Sequence, residues 1–274
     1  MPCKTPSNAN ELSTSKQSLT KDQIKACDNS SVSYKKTPYR VGLTGGIACG
    51  KSGIASLFAK LNVPIVDTDV IAREVVMPGS ALLGKLSERF GQNIIKDDGS
   101  LDRRLLRQIA FDKSHPENLN DLNALMAPAI EDETVRQVQE KTSPYVIICI
   151  PLLFEHHLEY MVDRILVVDV EPKLQLERLM SRDSINRELA LSMIASQVDR
   201  ETRLKKAHDL IESDSSPLDK KGDLVLKLHN LYQQLANRRS KPTIPQIMPA
   251  AHQYAIRSYH HPHTAAHQHP GIII

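Results

Sequence analysis

Residues 45–52 read Gly-Gly-Ile-Ala-Cys-Gly-Lys-Ser and satisfy the spacing G-x-x-x-x-G-K-[ST]. Chemistry that handles phosphate groups needs this pattern. Glycines let the backbone turn tightly, so that successive N–H groups point inward at phosphate oxygens, and the helix that follows adds its positive end. The backbone of Gly45, Gly46, Ile47, Ala48, Cys49 and Gly50, continued through Lys51, Ser52 and Gly53, is the candidate nucleotide cradle. Lys51 would reach the β- and γ-phosphates of ATP, and the Ser52 hydroxyl would complete the shell of a Mg²⁺ ion. The context agrees with a strand–loop–helix unit: an apolar run (Val41 to Leu43) enters the loop, and Ile54, Leu57, Phe58 and Leu61 leave it at helical spacing.

Other groups carry a weaker signal. Asp67 and Asp69 follow an apolar run, and residues two apart in an extended chain point the same way, so both could face a ligand crevice. One carboxylate would then take a hydroxyl proton while the other orders metal-bound water. Asp69 capping the next helix is the competing expectation, and the two roles can coexist. Asp169 ends the run Ile165-Leu166-Val167-Val168 as a magnesium-binding acid of a Walker B strand would, although a plain strand-end Asp fits equally. Arg178, Arg182, Arg187, Arg200 and Arg203 punctuate a polar helical stretch, which reads as a solvated face or as a segment that brings guanidiniums to a transferring phosphoryl group. Cys49 sits among the loop amides, where an exposed thiol would have its pKa lowered; a small residue filling the loop is the alternative.

Composition limits the partners. Of the net charge of +3, residues 1–37 carry +3 and residues 238–274 carry +4, which leaves −4 on residues 38–237. A mildly acidic central stretch argues against a nucleic-acid surface there. No apolar run approaches the ~20 residues of a membrane span, and the N-terminus has no apolar signal region. Cys3, Cys27, Cys49 and Cys149 form no C-x-x-C pair, so neither a zinc site nor a disulfide framework is indicated, and a reducing cytoplasm fits.

The elements that must position these groups alternate. Apolar runs at 41–43, 63–67, 145–150, 165–168 and 209–211 read as strands, and continuous runs such as Val146-Ile147-Ile148-Cys149-Ile150 fit strands buried on both faces. Between them lie helical patterns at 54–61, 70–76, 82–90, 101–111, a longer stretch containing Pro128, 172–182, 185–206 and 217–236. In the last of these, Leu224, Leu228, Leu231 and Leu235 mark the expected buried face. The order predicts an α/β fold with a five-stranded parallel sheet flanked by helices, and ligands outside the strands' carboxyl ends. Residues 1–37 are polar without periodicity and read as a disordered extension. Residues 241–274 hold six of the eleven histidines and read as a flexible tail with adventitious metal affinity.

Taken together, the segments resemble the dephospho-coenzyme A kinase family. The matching pieces are 43–47 with Gly50-Lys51-Ser52, 66–73, Asp102-Arg103-Arg104-Leu105, 122–125, Pro151-Leu152-Leu153-Phe154-Glu155, and Val167-Val168-Asp169 followed by Gln175, Arg178 and Arg182-Asp183. The resemblance implies a kinase domain over 38–240, with a core of 38–74, 141–181 and 206–240, a coenzyme-binding helical insertion (75–140) and a lid (182–205). It implies transfer of the ATP γ-phosphoryl group to the 3′-hydroxyl of dephospho-coenzyme A, with ATP as co-substrate, Mg²⁺ at Ser52, and a monomer or weak homo-oligomer. Asp69 matches the family's base, Lys51, Arg182 and Arg187 assist the transfer, and Asp67, Arg73, Arg104 and Leu153 fall on the acceptor side. This chain departs from the usual family pattern at Ala48, Cys49 and Gly53 (usually Gly, Ser and Thr), at Ala127 before Pro128 (usually His), and at Ser213-Asp214-Ser215. The rival expectations are a kinase of another small hydroxyl acceptor and a nucleotide-binding protein without catalysis.

Overall fold

The computed structural model describes residues 37–214 and 218–239. The expected disordered extension and His-rich tail lie outside the described residues. Five strands form one parallel sheet in the order β2-β3-β1-β4-β5: β1 (Tyr39–Thr44), β2 (Ile65–Asp67), β3 (Tyr145–Cys149), β4 (Arg164–Asp169) and β5 (Asp209–Glu212). The helices are α1 (Lys51–Lys60), α2 (Thr68–Glu74), α3 (Ala81–Phe90), α4 (Arg103–Ala110), α5 (Glu117–Glu140), α6 (Pro172–Asp183), α7 (Arg187–Ala195), α8 (Arg200–Lys206) and α9 (Gly222–Arg238).

The apolar runs are strands because each face of the sheet meets its own helical layer. Along β3, Val146 and Ile148 enter a core shared with α2, α3, α4 and α5, whereas Tyr145, Ile147 and Cys149 enter a second core with α1 and α9. On β4, Ile165 and Val167 join the first core, and Leu166 and Val168 the second. This two-residue alternation with both faces apolar is what a doubly covered parallel sheet requires. Each side chain so buried contributes about 1.5–3 kcal/mol, more than a partly exposed ion pair supplies.

The helical patterns hold with adjusted bounds. Between β2 and β3 the chain makes a helical excursion of α3, α4 and α5, with Pro128 inside α5. Ser80 caps α3 by accepting from the Leu83 N–H, and Asp102 caps α4 by accepting from the Leu105 N–H. The expected helix over 185–206 is broken into α7 and α8, because Asp199 turns its carboxylate to the Thr202 N–H and starts a new helix. On α9 the buried stripe is Val225, Leu228, Tyr232 and Ala236, while Leu231 and Leu235 flank it and Leu224 is exposed. The leucine pattern is thus rotated from the true face, whose widest residue is an aromatic.

Tyr232 pins α9 to the sheet edge. Its ring packs on Phe58 and Tyr145, and its hydroxyl donates to Asp209 Oδ2 at 2.9 Å, beside a two-bond Arg164–Asp209 ion pair. Tyr232→Phe should cost about 1–2 kcal/mol, one hydrogen bond to a charged acceptor. Tyr232→Ala should cost about 3–5 kcal/mol through the cavity it leaves. Urea unfolding of the two variants measures both; equal losses would show that the ring contributes nothing beyond its hydroxyl.

Candidate active site

The carboxyl ends of β1, β2 and β3 open onto one cavity of about 1060 Å³, walled by residues 47–52, Asp69, Ala72, Arg73, Arg103, Pro151 and Leu152, and on the far side by α6 and residues 193–197. The 45–52 loop forms its floor. Gly45 passes so close to β4 that a Cβ there would lie 2.3 Å from the Val168 carbonyl oxygen. Gly50 has φ +92° and caps α1 with no side chain, whereas α2, α3, α4, α6, α7 and α8 each begin on a capping Asp, Ser, Glu or Asn. Gly53 and Ile54 turn their N–H groups to the Gly50 carbonyl, and the N–H groups of Lys51 and Ser52 are left at the cavity, as an anion site needs. Ala48 has φ +59°, a left-handed conformation that Gly adopts freely and that costs an alanine about 1 kcal/mol.

Lys51 lines the cavity with its Nζ donating to the Gly45 carbonyl oxygen at 2.9 Å. The Ser52 side chain, exposed to the same cavity, makes no hydrogen bond among the described residues. Cys49 has its thiol buried rather than exposed, 1% accessible and packed beneath the loop against Gly45, so the expectation of a reactive thiol is corrected in favour of a small residue filling the loop. Burial, then the nearby Asp67, push the Cys149 thiol up to about 12.

The two aspartates are separated by the start of α2. β2 ends at Asp67, so the extended-chain geometry expected for 67 and 69 does not apply. Asp67, not Asp69, is the helix cap, accepting from the Asp69 N–H at 2.9 Å. That frees the Asp69 carboxylate to line the cavity, in the electrostatic reach of Lys51, Arg73 and Asp67. Enclosure by the cavity walls raises its pKa first and the Asp67 charge raises it further, with Lys51 and Arg73 pulling the other way. A carboxylate raised by desolvation is a better proton acceptor.

Of the remaining expected residues, Arg73 and Arg182 line the cavity, Arg182 with its guanidinium forked on Asp183. Arg104 faces a second cavity, and its neighbour Arg103 lines the first. Leu153 is fully buried in the core, and Pro151 and Leu152 supply the wall. Arg187 is exposed outside the wall. Gly46 lies under Gln175 and Arg203, and Gly53 sits within the first turn of α1 with its N–H on the Gly50 carbonyl.

Sequence reasoning missed the contacts that fasten residues 193–206 over the loop. The Ile47 N–H donates to Gln197 Oε1 at 2.7 Å, and Gln175 Nε2 donates to the Ile47 carbonyl at 2.9 Å, so the two peptide groups flanking Ile47 are each held. Val198 N–H donates to Glu155 at 3.0 Å. Asp169, considered for metal, instead takes a two-armed pair from Arg200, with Nε–Oδ1 at 2.9 Å and Nη2–Oδ2 at 2.5 Å. No local pattern announces pairings across such separations.

Comparison with known proteins agrees with this geometry. The profile of the dephospho-CoA kinase family matches residues 39–219. A dephospho-CoA kinase of Pasteurella multocida is 49% identical over 208 residues, covering 74% of this chain and 98% of that protein. The dephospho-CoA kinase of Escherichia coli K12 is 46% identical over 200 residues, covering 73% and 96%. Among solved structures, one from Thermus thermophilus superposes with a TM-score of 0.61 at 29% identity, and a dephospho-CoA kinase from Campylobacter jejuni with 0.52 at 25%, each covering 72% of this chain and 99% of the other. The chain belongs to the dephospho-CoA kinase family.

The electrostatics of Asp69 are directly testable. Asp67→Asn keeps a capping oxygen but removes the charge, so the Asp69 titration midpoint, followed by carboxyl ¹³C NMR, should move down. Because the folded pKa of Asp69 lies above its unfolded value, its contribution to stability is complete below the unfolded value and is lost as pH rises through the folded one. Asp69→Asn, which cannot ionise, should therefore raise the melting temperature at neutral pH and leave it little changed in acid. A lower melting temperature at neutral pH would contradict the sign of the shift.

Proposed function

We propose that this member of the dephospho-CoA kinase family transfers the γ-phosphoryl group of ATP to the ribose 3′-hydroxyl of dephospho-CoA, giving coenzyme A and ADP in the last step of coenzyme A synthesis. The observation that carries the reading is the meeting, in one cavity, of the amide-lined loop with Lys51 and a carboxylate of raised pKa from a different strand–helix junction. The loop amides and the end of α1 hold the donor's phosphates, and Lys51 moves from the Gly45 carbonyl to the β/γ bridge. Asp69 accepts the 3′-hydroxyl proton as the oxygen–phosphorus bond forms and the bond to the ADP oxygen breaks. A loose phosphoryl transition state needs little covalent help, so alignment and charge supply most of the rate.

Ser52 fits a Mg²⁺ ion: its unpaired hydroxyl sits at the start of α1 beside Lys51, and Mg²⁺ is bound through few protein ligands together with substrate phosphates. When bound, the ion would neutralise charge on the β- and γ-oxygens. Residues 75–140 serve as the acceptor-binding insertion, and residues 182–205, which bring Arg182 to the cavity, serve as the lid, with Arg187 joining it only if the segment moves. Asp67 orients the Asp69 backbone, and Leu153 supports the acceptor wall from beneath. The reading carries with it a monomer or weak homo-oligomer in the cytoplasm.

A coupled ADP-release assay with dephospho-CoA and Mg-ATP tests the activity. Lys51→Met and Asp69→Asn should each lower turnover by roughly 10²–10⁴-fold, Asp69→Asn with ATP binding intact. Turnover of Asp69→Asn near that of the unaltered protein would remove Asp69 as the base, and turnover of another hydroxyl acceptor in preference would overturn the substrate.

A further inference from the structure

Two guanidiniums share one side of the cavity, with the Asp69 carboxylate in electrostatic reach of the first of them. Arg73 is on α2 and Arg103 is the first residue of α4, and both line the wall. They are neighbours: an Arg103 Nη2–H donates to the Arg73 carbonyl oxygen at 3.5 Å. Among the described residues neither forms an ion pair with a carboxylate. Burial, then the Arg73 charge, pull the Arg103 guanidinium below its ordinary pKa. Like charges in a partly desolvated wall are unfavourable until an anion joins them.

The identity of that anion follows from position. The donor's phosphates belong to the 45–52 loop and Lys51. Asp69 and Arg73 stand four residues apart on α2, so their Cβ atoms lie about 5–6 Å apart on one face of the helix, and the Arg73 charge is within electrostatic reach of the Asp69 carboxylate. An acceptor whose 3′-hydroxyl meets Asp69 thus brings its 5′-phosphate to Arg73 and Arg103. Arg103 is also the wall shared with the second cavity, of about 520 Å³, which Arg104, Arg107 and Phe111 line along α4. The rest of the acceptor has room to leave in that direction.

Resting on the acceptor reading above, we propose that Arg103, together with Arg73, grips the 5′-diphosphate of the acceptor and so sets the preference for dephospho-CoA over acceptors that lack the diphosphate. The forked guanidinium matches paired phosphate oxygens. Arg103 is a binding residue in this role and takes no part in proton transfer.

The test is calorimetric titration of the full chain, saturated with a non-hydrolysable ATP analogue, with dephospho-CoA and with adenosine. Arg103→Gln should weaken dephospho-CoA binding roughly tenfold or more, the loss of one charged hydrogen-bonding group. Adenosine and the ATP analogue should bind as before, and KM for dephospho-CoA should rise with kcat little changed. Arg103→Lys, which keeps the charge but not the fork, should fall between. Should Arg103→Gln fail to fold, Arg103→Lys carries the same comparison. An equal loss for adenosine, a loss confined to the ATP analogue, or no loss for dephospho-CoA would each overturn the assignment. Unaltered protein that binds dephospho-CoA without phosphorylating it would contradict the proposed activity and leave the Arg103 assignment to the binding data.

Discussion

One helix end governs the rest of this molecule. α1 begins at Gly50, which has no side chain to satisfy the first-turn N–H groups, and the strand before it must pass Val168 with no room for a Cβ at Gly45. A glycine at the cap costs about a few tenths of a kcal/mol relative to a capping side chain. Here the cost is incurred at the mouth of the sheet, where β1 lies between β3 and β4 and is covered on both faces. The surrounding core, worth many times that amount, holds the loop in a shape it would not keep alone. Parallel strand order then brings the ends of β2 and β3 to the same edge, so the Asp69 carboxylate and the 47–52 loop face one space.

Much of this was legible because the determining features are local. The 45–52 spacing fixes a backbone shape, and continuous apolar runs imply strands covered on both faces. The helical excursion between β2 and β3 followed from periodicity alone. What escaped the sequence depends on phase and distance. Arg103 lies three and seven residues before the buried Leu106 and Ala110, hence on their face of α4, whereas Arg104 is turned outward by one helical step. That phase was available in the sequence, but a motif with two adjacent arginines does not say which one the fold selects. The capping exchange between Asp67 and Asp69 was hidden for a related reason. A helix that starts at Thr68, directly after the strand, converts a shared-face pair into a cap and a free carboxylate.

Cys49 and Gln197 show a second limit. The thiol position looks exposed from its place among loop amides, yet the loop turns the side chain inward, where it fills the space left by Gly45. Gln197 meets Ile47 across most of the domain, and its identity as a loop contact exists only once α6, α7 and the sheet are assembled.

The contacts over the loop also bear on how a nucleotide reaches it. Residues 193–206 are tied down by the Gln197 and Val198 hydrogen bonds, the Arg200–Asp169 pair, and a Lys206–Glu159 pair at 2.7 Å. The Lys206–Glu159 pair, with partners 42% and 30% accessible, lies near the exposed limit of about 0–1 kcal/mol, whereas the two-armed Arg200–Asp169 pair, whose carboxylate is buried, is worth more. Each neutral hydrogen bond adds about 0.5–1.5 kcal/mol. Against these stand the apolar cores, which hold the sheet and its flanking helices and which only a few residues of this segment enter. The segment is therefore a wall of the cavity held largely by polar contacts, and it reaches the cavity through Met193, Ser196 and Gln197. The Gln197 contact is made to the loop itself, so a ligand seated in that loop would compete for the bond that holds this segment down.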